Sequence, residues 1–222
     1  MKAECKKKQK VLPLTHVEIA KNTLLRNRQR SDLINYLIVK NGYKKYLEIG
    51  VADGENLRRI EAAEKVGVDP SPAPSALFTH RITSDEFFKN NQETFDIVFI
   101  DGLHLHEQVL RDIENSLNCL NPGGIIVMHD CMPVQPEHQD RTPIPGAWNG
   151  DVWKAAAYVR MHWDGVHFCV LDMDCGCGVL TPNSTQILYP SKPIEEMDWA
   201  FYVNNKTELL NVKSVENWLI GL

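Results

Sequence analysis

Short apolar segments that alternate with amphipathic ones between residues 45 and 130 are the feature that most restricts the fold of this chain. Polar and apolar residues do not alternate inside these segments, which indicates strands that are covered on both faces. Strands are predicted at residues 45–50, 65–69, 80–84, 95–101 and 123–130. Helices are predicted between them, from about residue 55, over residues 85–90 and over about residues 106–119. This order predicts the α/β fold class, with a doubly wound and mostly parallel sheet.

Elements on either side of this region complete the predicted domain. Ser31 has the side chain of a helix cap, and the segment after it predicts a helix that ends at Gly42. A further helix is predicted from about Asp151. The apolar segments 166–173 and 178–182 are joined by a turn that contains glycine. They predict a hairpin, and therefore an antiparallel C-terminal strand in the sheet.

Length and charge narrow the class of protein. The sequence shows no internal repeat or linker, so residues 1–222 are expected to form a single domain, with residues 1–14 as a flexible basic arm. A net charge of −5 argues against binding to nucleic acid, which requires a basic surface. No segment approaches the roughly 18 apolar residues of a membrane span. We therefore expect a protein whose partner is a small molecule, and the sequence leaves a homo-oligomer open.

The cysteines indicate the cellular compartment. The chain has six of them, but only one pair is closely spaced, whereas a structural zinc site usually needs two such pairs. Free thiols are the better interpretation, and they predict a cytoplasmic protein.

Acidic residues stand at or directly after the ends of the predicted strands. They are Glu48, Asp69, Asp101 and Asp130, and Asp85 follows Ser84 in the same way. In an open parallel sheet, ligands bind beyond the carboxyl ends of the strands. The acidic residues therefore predict a ligand site at that edge of the sheet.

The turn after the first strand indicates the kind of ligand. Gly50 and Gly54 fit a tight strand-to-helix turn that a ligand can approach closely. Asp69 follows Gly50 by about 20 residues, the spacing expected of an acid that accepts hydrogen bonds from ribose hydroxyls. The pattern predicts a ligand that contains adenosine, and it leaves two candidates, an NAD-like dinucleotide and S-adenosylmethionine.

Five segments in the same order carry a resemblance to a known family. "LEIGVADG", "GVDP", "TSDEFF", "FDIVFIDGLHLHEQVLRDI" and "LNPGGIIVMHDCMP" resemble the successive motifs of class I S-adenosylmethionine-dependent methyltransferases, which have a Rossmann-like fold. The resemblance covers roughly residues 30–180. It is strongest to a small bacterial group with "IDG-x-H" and "HDC" motifs, which is related to O-methyltransferases of sugars and natural products.

The resemblance implies a set of residues that bind S-adenosylmethionine. They are Glu48, Gly50, Val51, Gly54, Asp69, Pro70, Ser84, Asp85 and Asp101. Glu48 would orient the glycine turn, Asp69 would hold the ribose, and Asp85 with Ser84 would lie beside the adenine. The residues themselves agree, because acids at Glu48 and Asp53 suit a cationic sulfonium better than a pyrophosphate. No Tyr-x-x-x-Lys pair of a short-chain dehydrogenase follows the fifth strand.

Methyl transfer to a hydroxyl requires a group that removes or weakens the acceptor's proton. The candidates are Asp101, His104, His106, His129 and Asp130. The resemblance implies that Asp101 and Asp130 bind a divalent metal such as Mg²⁺ and that His104 is the base. His129 stands where several metal-dependent relatives have a second aspartate. Whether a metal is required, and whether His104 or His129 is the base, therefore stays open at this stage.

Residues 131–150 form a connection with four prolines and no periodicity, and a connection of this length is more often functional than idle. We expect it to be an active-site loop that covers the acceptor. Its candidate contact residues are His138, Asp140, Arg141 and Trp148. Asp151 after it is expected to complement the dipole of the next helix.

The sequence thus predicts an S-adenosylmethionine-dependent O-methyltransferase that acts on a small polar acceptor, such as the hydroxyl of a sugar or of a glycosylated metabolite. Two alternatives belong to other classes. One is a metallohydrolase that uses the His104 and His106 pair with Asp101, His129 and Asp130. The other is a module that binds a nucleoside without catalysis.

Overall fold

The computed structural model describes residues 13–74, 76 and 79–221, and a six-stranded sheet lies at its centre. The strands are β1 (Lys45–Ile49), β2 (Glu64–Val68), β3 (Phe95–Ile100), β4 (Leu120–Met128), β5 (Val166–Leu171) and β6 (Cys177–Pro182). Their order in the sheet is β2-β1-β3-β4-β6-β5. The first four pair in parallel, whereas β6 runs antiparallel to both β4 and β5. The predicted α/β class, parallel sheet and antiparallel C-terminal strand are confirmed.

Eight α-helices surround the sheet in the described part of the chain. They are α1 (His16–Asn27), α2 (Arg30–Asn41), α3 (Glu55–Arg59), α4 (Ser84–Asn90), α5 (His106–Asn118), α6 (Val152–His162), α7 (Trp199–Leu209) and α8 (Val215–Ile220). None of these helices has both the length and the apolar character needed to cross a lipid bilayer. The predicted basic arm falls mainly on residues 1–12, which lie outside the described residues.

The N-terminal helices differ in part from the prediction. The pattern did not predict α1, which begins with a capping box in which Thr15 and Glu18 each bond to the other's main chain. Ser31 was expected to cap α2, but the cap is Gln29 and Ser31 lies inside the helix, 5% exposed. Gly42 ends α2 as predicted, in the left-handed conformation with φ of 70°.

The predicted strand at residues 80–84 is wrong. Only His80 bridges to the sheet, opposite Val68. Thr83 instead caps α4, because its hydroxyl accepts a hydrogen bond from the main-chain N–H of Glu86 at 3.2 Å. A cap of this kind satisfies a helix N–H that has no partner inside the helix. Residues 83 and 84 therefore begin α4 instead of ending a strand.

Both faces of the sheet are covered, as the apolar segments predicted. In β3, Val98 and Ile100 pack into the core on one face, whereas Ile97 and Phe99 pack into the core on the other. All four are at most 3% exposed. β4 begins earlier than predicted, at Leu120, and ends at Met128. Asp69, Asp101 and Asp130 therefore follow the strands instead of ending them, whereas Glu48 lies within β1.

Candidate active site

A cavity of about 560 Å³ opens where the carboxyl ends of β1 to β4 meet. The predicted site residues that line it are Gly50, Asp69, Pro70, Ser84, Asp85, Asp101, His104, His129 and Asp130. Three other predicted cofactor residues do not line it, namely Glu48, Val51 and Gly54. The structure thus brings most of the predicted residues to the edge of the sheet that the strand order indicates.

Gly50 is required at its position by packing within the protein. Its φ is 88°, and a Cβ there would lie 2.0 Å from the main-chain oxygen of Asp101. The N–H of Gly50 also donates to the carbonyl of Val68 at 2.9 Å. The close approach that the sequence assigned to a ligand is therefore made by the end of β3. Gly54, with φ of 77°, is the N-cap of α3.

Glu48 is buried beside this turn rather than in the cavity, and it is 1% exposed. The hydroxyl of Tyr46 and the Nδ2 of Asn56 both donate to its Oε2, the latter at 2.9 Å. Burial raises the pKa of Glu48 to about 7, and these hydrogen bonds only partly oppose it. Asn56 belongs to the first turn of α3, so Glu48 links β1 to the helix that follows the glycine turn.

Asp69 holds the same turn from the cavity side. Its Oδ2 accepts hydrogen bonds from the N–H groups of Val51 at 3.0 Å and Ala52 at 2.9 Å, and its Oδ1 accepts from the N–H of Ser71 at 2.7 Å. Ala52, which stands where the family pattern has a glycine, adopts a positive φ of 49°. The acid expected to hold the ribose is thus fixed in place by main-chain donors.

Gln108 is a residue of the cavity wall that the sequence analysis did not single out. Its Nε2 lies 3.1 Å from Ser84 Oγ, 3.1 Å from Asp85 Oδ1 and 3.0 Å from Asp112 Oδ1. Asp112 is 1% exposed, and burial raises its pKa to about 6. Only the helical periodicity of α5, which places Gln108 and Asp112 on one face, signals this connection.

His104 lies between two carboxylates. Its Nε2 is 3.4 Å from Asp101 Oδ1 and 3.4 Å from Asp130 Oδ2. Its Nδ1 is 3.2 Å from the carbonyl oxygen of Trp148, and because a carbonyl only accepts, Nδ1 carries the proton of that bond. Burial lowers the pKa of His104, but Asp101 and Asp130 outweigh burial, and the pKa is raised.

His129 is enclosed more completely. Its Nδ1 is 3.3 Å from Asp101 Oδ1 and 3.2 Å from Asp130 Oδ2, and its Nε2 is 3.5 Å from Asp174 Oδ1. Burial opposes the charged form, yet the attraction of Asp101 and the hydrogen bonds to the three carboxylates raise the pKa well above its usual value. The pKa of Asp101 is lowered for the converse reason, since the two histidines outweigh its burial.

Two residues distant in sequence join this cluster, and the sequence analysis missed both. Arg30, at the start of α2, lines the cavity with its Nη1 3.3 Å from His129 Nε2 and 3.4 Å from Asp174 Oδ2. Its Nε is buried with no hydrogen-bond partner among the described residues, and it lies 3.9 Å from Asp101 Oδ2. In the sequence, Asp174 is recognisable only as a residue of the turn between β5 and β6. No local pattern links the two, because 144 residues separate them.

Asp130 is held in an unusual conformation. Its φ is 58°, which is uncommon for a residue with a side chain and is often found at functional sites. The Nδ2 of Asn149 donates to its Oδ1 at 2.6 Å, and Asn149 is 2% exposed. Asn149 lies at the end of the 131–150 loop, so that loop fixes the orientation of a predicted metal ligand.

The donor atoms present fit a divalent cation. Asp101, His104 and Asp130 each offer one ligand atom, and these atoms lie within 4.8 Å of one another. Carboxylate oxygens suit Mg²⁺, and an imidazole added to them suits Mn²⁺ or Zn²⁺ as well. His129, Asp174 and Cys177 form a neighbouring group, but burial raises the pKa of the Cys177 thiol to about 12, which disfavours a thiolate ligand.

The 131–150 loop packs against the start of α5. The Nη1 of Arg141 donates to Asp151, whose Oδ2 is also 2.7 Å from His106 Nδ1. The Nη2 of Arg141 donates to Glu107 at 3.0 Å. The ring of Trp148 stacks on that of His104 with centroids 4.7 Å apart. Asp151 thus anchors the loop in addition to starting α6.

The candidate contact residues of this loop do not line the cavity. They are His138, Asp140, Arg141 and Trp148. The carbonyl of His138 accepts from the N–H of Asn149 at 2.9 Å, and the carbonyl of Asp140 accepts from Trp148 Nε1 at 2.6 Å. These bonds hold the loop in its own conformation. Of the four, Trp148 contacts a residue of the cavity wall, His104, through its ring and its carbonyl oxygen.

His104 and His106 do not converge on one site. The side chain of His104 contacts Asp101 and Asp130, whereas that of His106 contacts Asp151. The His-x-His pair therefore lacks the shared ligand position that the metallohydrolase alternative requires.

Comparison with known families gives a match for part of the chain. Residues 47–131 match a family model described as a methyltransferase domain. A comparison with the sequences of curated proteins finds no significant match.

Solved structures share the fold over most of the chain. The O-methyltransferase from Bacillus cereus in complex with S-adenosylhomocysteine is similar with a TM-score of 0.52 and 14% identity, over 78% of this chain and 93% of that one. TomG from Streptomyces achromogenes, an O-methyltransferase of tomaymycin synthesis solved with S-adenosylmethionine, is similar with a TM-score of 0.53 and 15% identity, over 78% of this chain and 92% of that one. The methyltransferase PaMTH1 from Podospora anserina, bound to S-adenosylhomocysteine, is similar with a TM-score of 0.53 and 15% identity, over 77% of this chain and 89% of that one.

At these identities the similarity is one of fold. Together with the family model, it confirms the predicted resemblance to class I methyltransferases.

Proposed function

We propose that this protein, whose residues 47–131 match the methyltransferase domain, is an S-adenosylmethionine-dependent O-methyltransferase of a small polar acceptor. One observation carries the proposal. One cavity is lined by two groups of residues: the glycine turn with Asp69 and Asp85, which we call the cofactor end, and the Asp101, His104 and Asp130 cluster, which we call the acid–base end. A cofactor at the first end would present its methyl group toward the acid–base groups at the second.

The cofactor end suits an adenosyl sulfonium. Asp69 lines the cavity with a fixed carboxylate that has acceptor capacity left for a ribose hydroxyl. Ser84 and Asp85 also line the cavity, and they would contact the adenine. Arg30 lines the cavity and supplies a guanidinium, which suits the carboxylate of the methionine part. The cofactors in the similar B. cereus and S. achromogenes structures support this assignment.

The acid–base end suits a hydroxyl acceptor. During transfer the acceptor oxygen forms a bond to the methyl carbon, the sulfur–carbon bond breaks, and the hydroxyl proton moves to a base. His104 Nε2 is the better candidate, because the donation of Nδ1–H to Trp148 leaves Nε2 as the free acceptor in the neutral ring. His129, with a carboxylate at each ring nitrogen and a pKa raised well above its usual value, keeps its proton near neutral pH.

Charge balance within the cluster supports a divalent cation. Asp101, Asp130 and Asp174 carry three negative charges, while Arg30 and protonated His129 carry two positive ones. A buried cluster with an unbalanced charge is unfavourable, so the remaining charge is met by protonation of His104 or by a cation. A cation held by Asp101 and Asp130 would polarise the acceptor oxygen and lower the pKa of its hydroxyl. Neutral His104 would then be free to accept the proton.

The acid–base end presents carboxylate oxygens and imidazole nitrogens, which form hydrogen bonds with hydroxyl groups. This supports an acceptor rich in hydroxyls, such as a sugar or a glycosylated metabolite.

The proposal is tested first by calorimetry with S-adenosylhomocysteine. We expect a dissociation constant in the micromolar range, and a loss of about tenfold or more in Asp69→Ala, because a hydrogen bond to a charged group is removed. Glu61→Ala, which changes an exposed acid away from the cavity, is the matched control. No binding at millimolar ligand would overturn the assignment.

Methyl transfer to a panel of sugars and glycosides then tests the activity. Cofactor binding without transfer to any acceptor, in the presence of Mg²⁺ or Mn²⁺, would instead support the non-catalytic nucleoside-binding module.

A further inference from the structure

A second cavity lies on the opposite edge of the sheet, and the proposed methyl transfer does not use it. Its volume is about 450 Å³, which is within the range of small-molecule sites. It is lined from the end of α2, the first half of β4, strands β5 and β6, and α8. Gly123 and Ile125 of β4 line it, whereas the active-site cavity is lined by His129 and Asp130, which follow the other end of β4. We call it the rear cavity.

The charged groups of the rear cavity are all basic. Lys40, His167 and Lys213 line it, and none of its described lining residues is an aspartate or a glutamate. This is unusual for a chain with a net charge of −5. Within the described residues, these three side chains form no hydrogen bond or ion pair, although two other lysines, Lys45 and Lys192, are paired with glutamates.

No anion in the described part of the chain compensates the burial of these groups. All three are partly buried. Burial lowers the pKa of Lys40, and burial together with the charges of Lys213 and Arg160 lowers the pKa of His167. The partly buried ammonium groups of Lys40 and Lys213, with no partner among the described residues, are therefore the groups that an anionic ligand would stabilise.

The remaining wall of the rear cavity is apolar. Leu37, Val179 and Trp218 line it and are 1%, 3% and 7% exposed. The indole of Trp218 is held in place by an edge contact with Tyr36, with ring centroids 6.2 Å apart. A ligand therefore needs an apolar body to cover this wall as well as a negative group for the lysines. The N-terminal sequence "MKAECKKKQK" has the wrong charge for this role.

We propose that the rear cavity binds a small amphipathic anion, an aromatic or branched carboxylate or sulfonate, with its charge at Lys40 and Lys213 and its apolar body against Trp218. This site is separate from the active-site cavity, and the proposal does not depend on the methyltransferase activity.

Fluorescence titration of the full chain with 8-anilinonaphthalene-1-sulfonate tests the proposal, with S-adenosylhomocysteine added to occupy the active-site cavity. We expect one binding site that the added nucleoside does not displace. The double variant Lys40→Met and Lys213→Met keeps the apolar side-chain stems. Its affinity for the probe should fall by about tenfold or more. Lys89→Met, an exposed lysine of α4, is the charge-matched control and should bind as the parent does.

Two results would overturn the proposal. One is unchanged binding of the sulfonate in the folded double variant, and the other is displacement by S-adenosylhomocysteine. Uncharged N-phenyl-1-naphthylamine serves as the second probe, and its binding should not respond to the lysine changes.

Crystals of the unmodified protein soaked in 4-bromobenzoate give a measurement that needs no variant. Anomalous signal from bromine beside Trp218 is expected. Bromine found only elsewhere in the molecule would contradict the assignment.

Discussion

The indole of Trp148 lies on the imidazole of His104, with ring centroids 4.7 Å apart and an angle of 27° between the rings. The carbonyl of the same tryptophan accepts the Nδ1–H of that histidine at 3.2 Å. One residue of the 131–150 loop therefore fixes both the plane and the tautomer of the proposed base. Under the proposed function, the loop would act on catalysis through this contact, although Trp148 does not line the cavity.

The stacking contact should matter for turnover. Trp148→Ala removes the ring that holds His104. We expect kcat to fall about tenfold, in line with the free energy that an aromatic pair contributes. Trp148→Phe keeps a stacking ring and should recover most of the activity. The measurement is kcat and KM with the best acceptor of the panel. Equal losses in the two variants would show that the stack does not position the base.

His104 itself should be needed for the chemical step. We expect His104→Gln to lower kcat by about 100-fold or more, the usual contribution of a general base. Affinity for S-adenosylhomocysteine and for Mn²⁺ should change less than about threefold, because Asp69, Asp101 and Asp130 are kept. His162→Gln, an exposed histidine of α6, serves as the control. A parallel loss of Mn²⁺ affinity would make His104 a metal ligand rather than the base.

Removal of divalent metal should abolish methyl transfer. We expect EDTA to inactivate the enzyme and Mg²⁺ or Mn²⁺ to restore it. Asp130→Asn should raise the metal concentration that gives half-maximal activity by about tenfold or more, because a charged ligand is lost. The comparison is Asp164→Asn, which changes an exposed acid. Full activity in EDTA would favour metal-free base catalysis.

The anchoring of the loop by Arg141 should be visible in acceptor binding. Arg141→Ala removes the donors to Asp151 and Glu107, so we expect the KM of the acceptor to rise about three- to tenfold. Binding of S-adenosylhomocysteine, measured by calorimetry, should stay as in the parent. Arg58→Ala breaks an exposed ion pair with Glu55 and should change neither constant. A weaker affinity for the nucleoside in Arg141→Ala would indicate that the loop also shapes the cofactor end.

Glu48 should make stability depend on pH. Its pKa is raised to about 7 in the folded protein, so the stability from its protonated form is fully present below pH 4.5 and is lost as the pH rises through about 7. Glu48→Gln keeps an acceptor for Tyr46 and Asn56 without the charge. Relative to the parent, it should therefore gain about 3 kcal/mol in free energy of unfolding between pH 4 and pH 8.5.

Urea unfolding at the two pH values measures this gain. Glu61→Gln, which changes an exposed acid, should show no such change. A constant difference between Glu48→Gln and the parent would mean that Glu48 is not buried with a raised pKa.

Local sequence patterns were enough for the elements whose signals lie within a few residues. β3 and α5 appear within a residue or so of the predicted bounds, because apolar runs and helical periodicity are properties of contiguous residues. The same holds for the stop of α2 at Gly42, where only the left-handed backbone of one residue matters. The strand at residues 80–84 failed, because a helix cap and a strand compete for the same polar residues.

Apart from the strand predicted at residues 80–84, the sequence by itself determined the order of strands and helices between residues 45 and 130, and thereby the edge of the sheet at which the acids gather. The tertiary structure decided what those acids contact. Arg30 and Asp174, which are 144 residues apart in the sequence, both lie beside His129. The 131–150 loop brings Asn149 to Asp130 and Trp148 to His104. Periodicity describes which face of an element is apolar, but contacts between distant residues form only when the elements pack, so no local pattern can encode them.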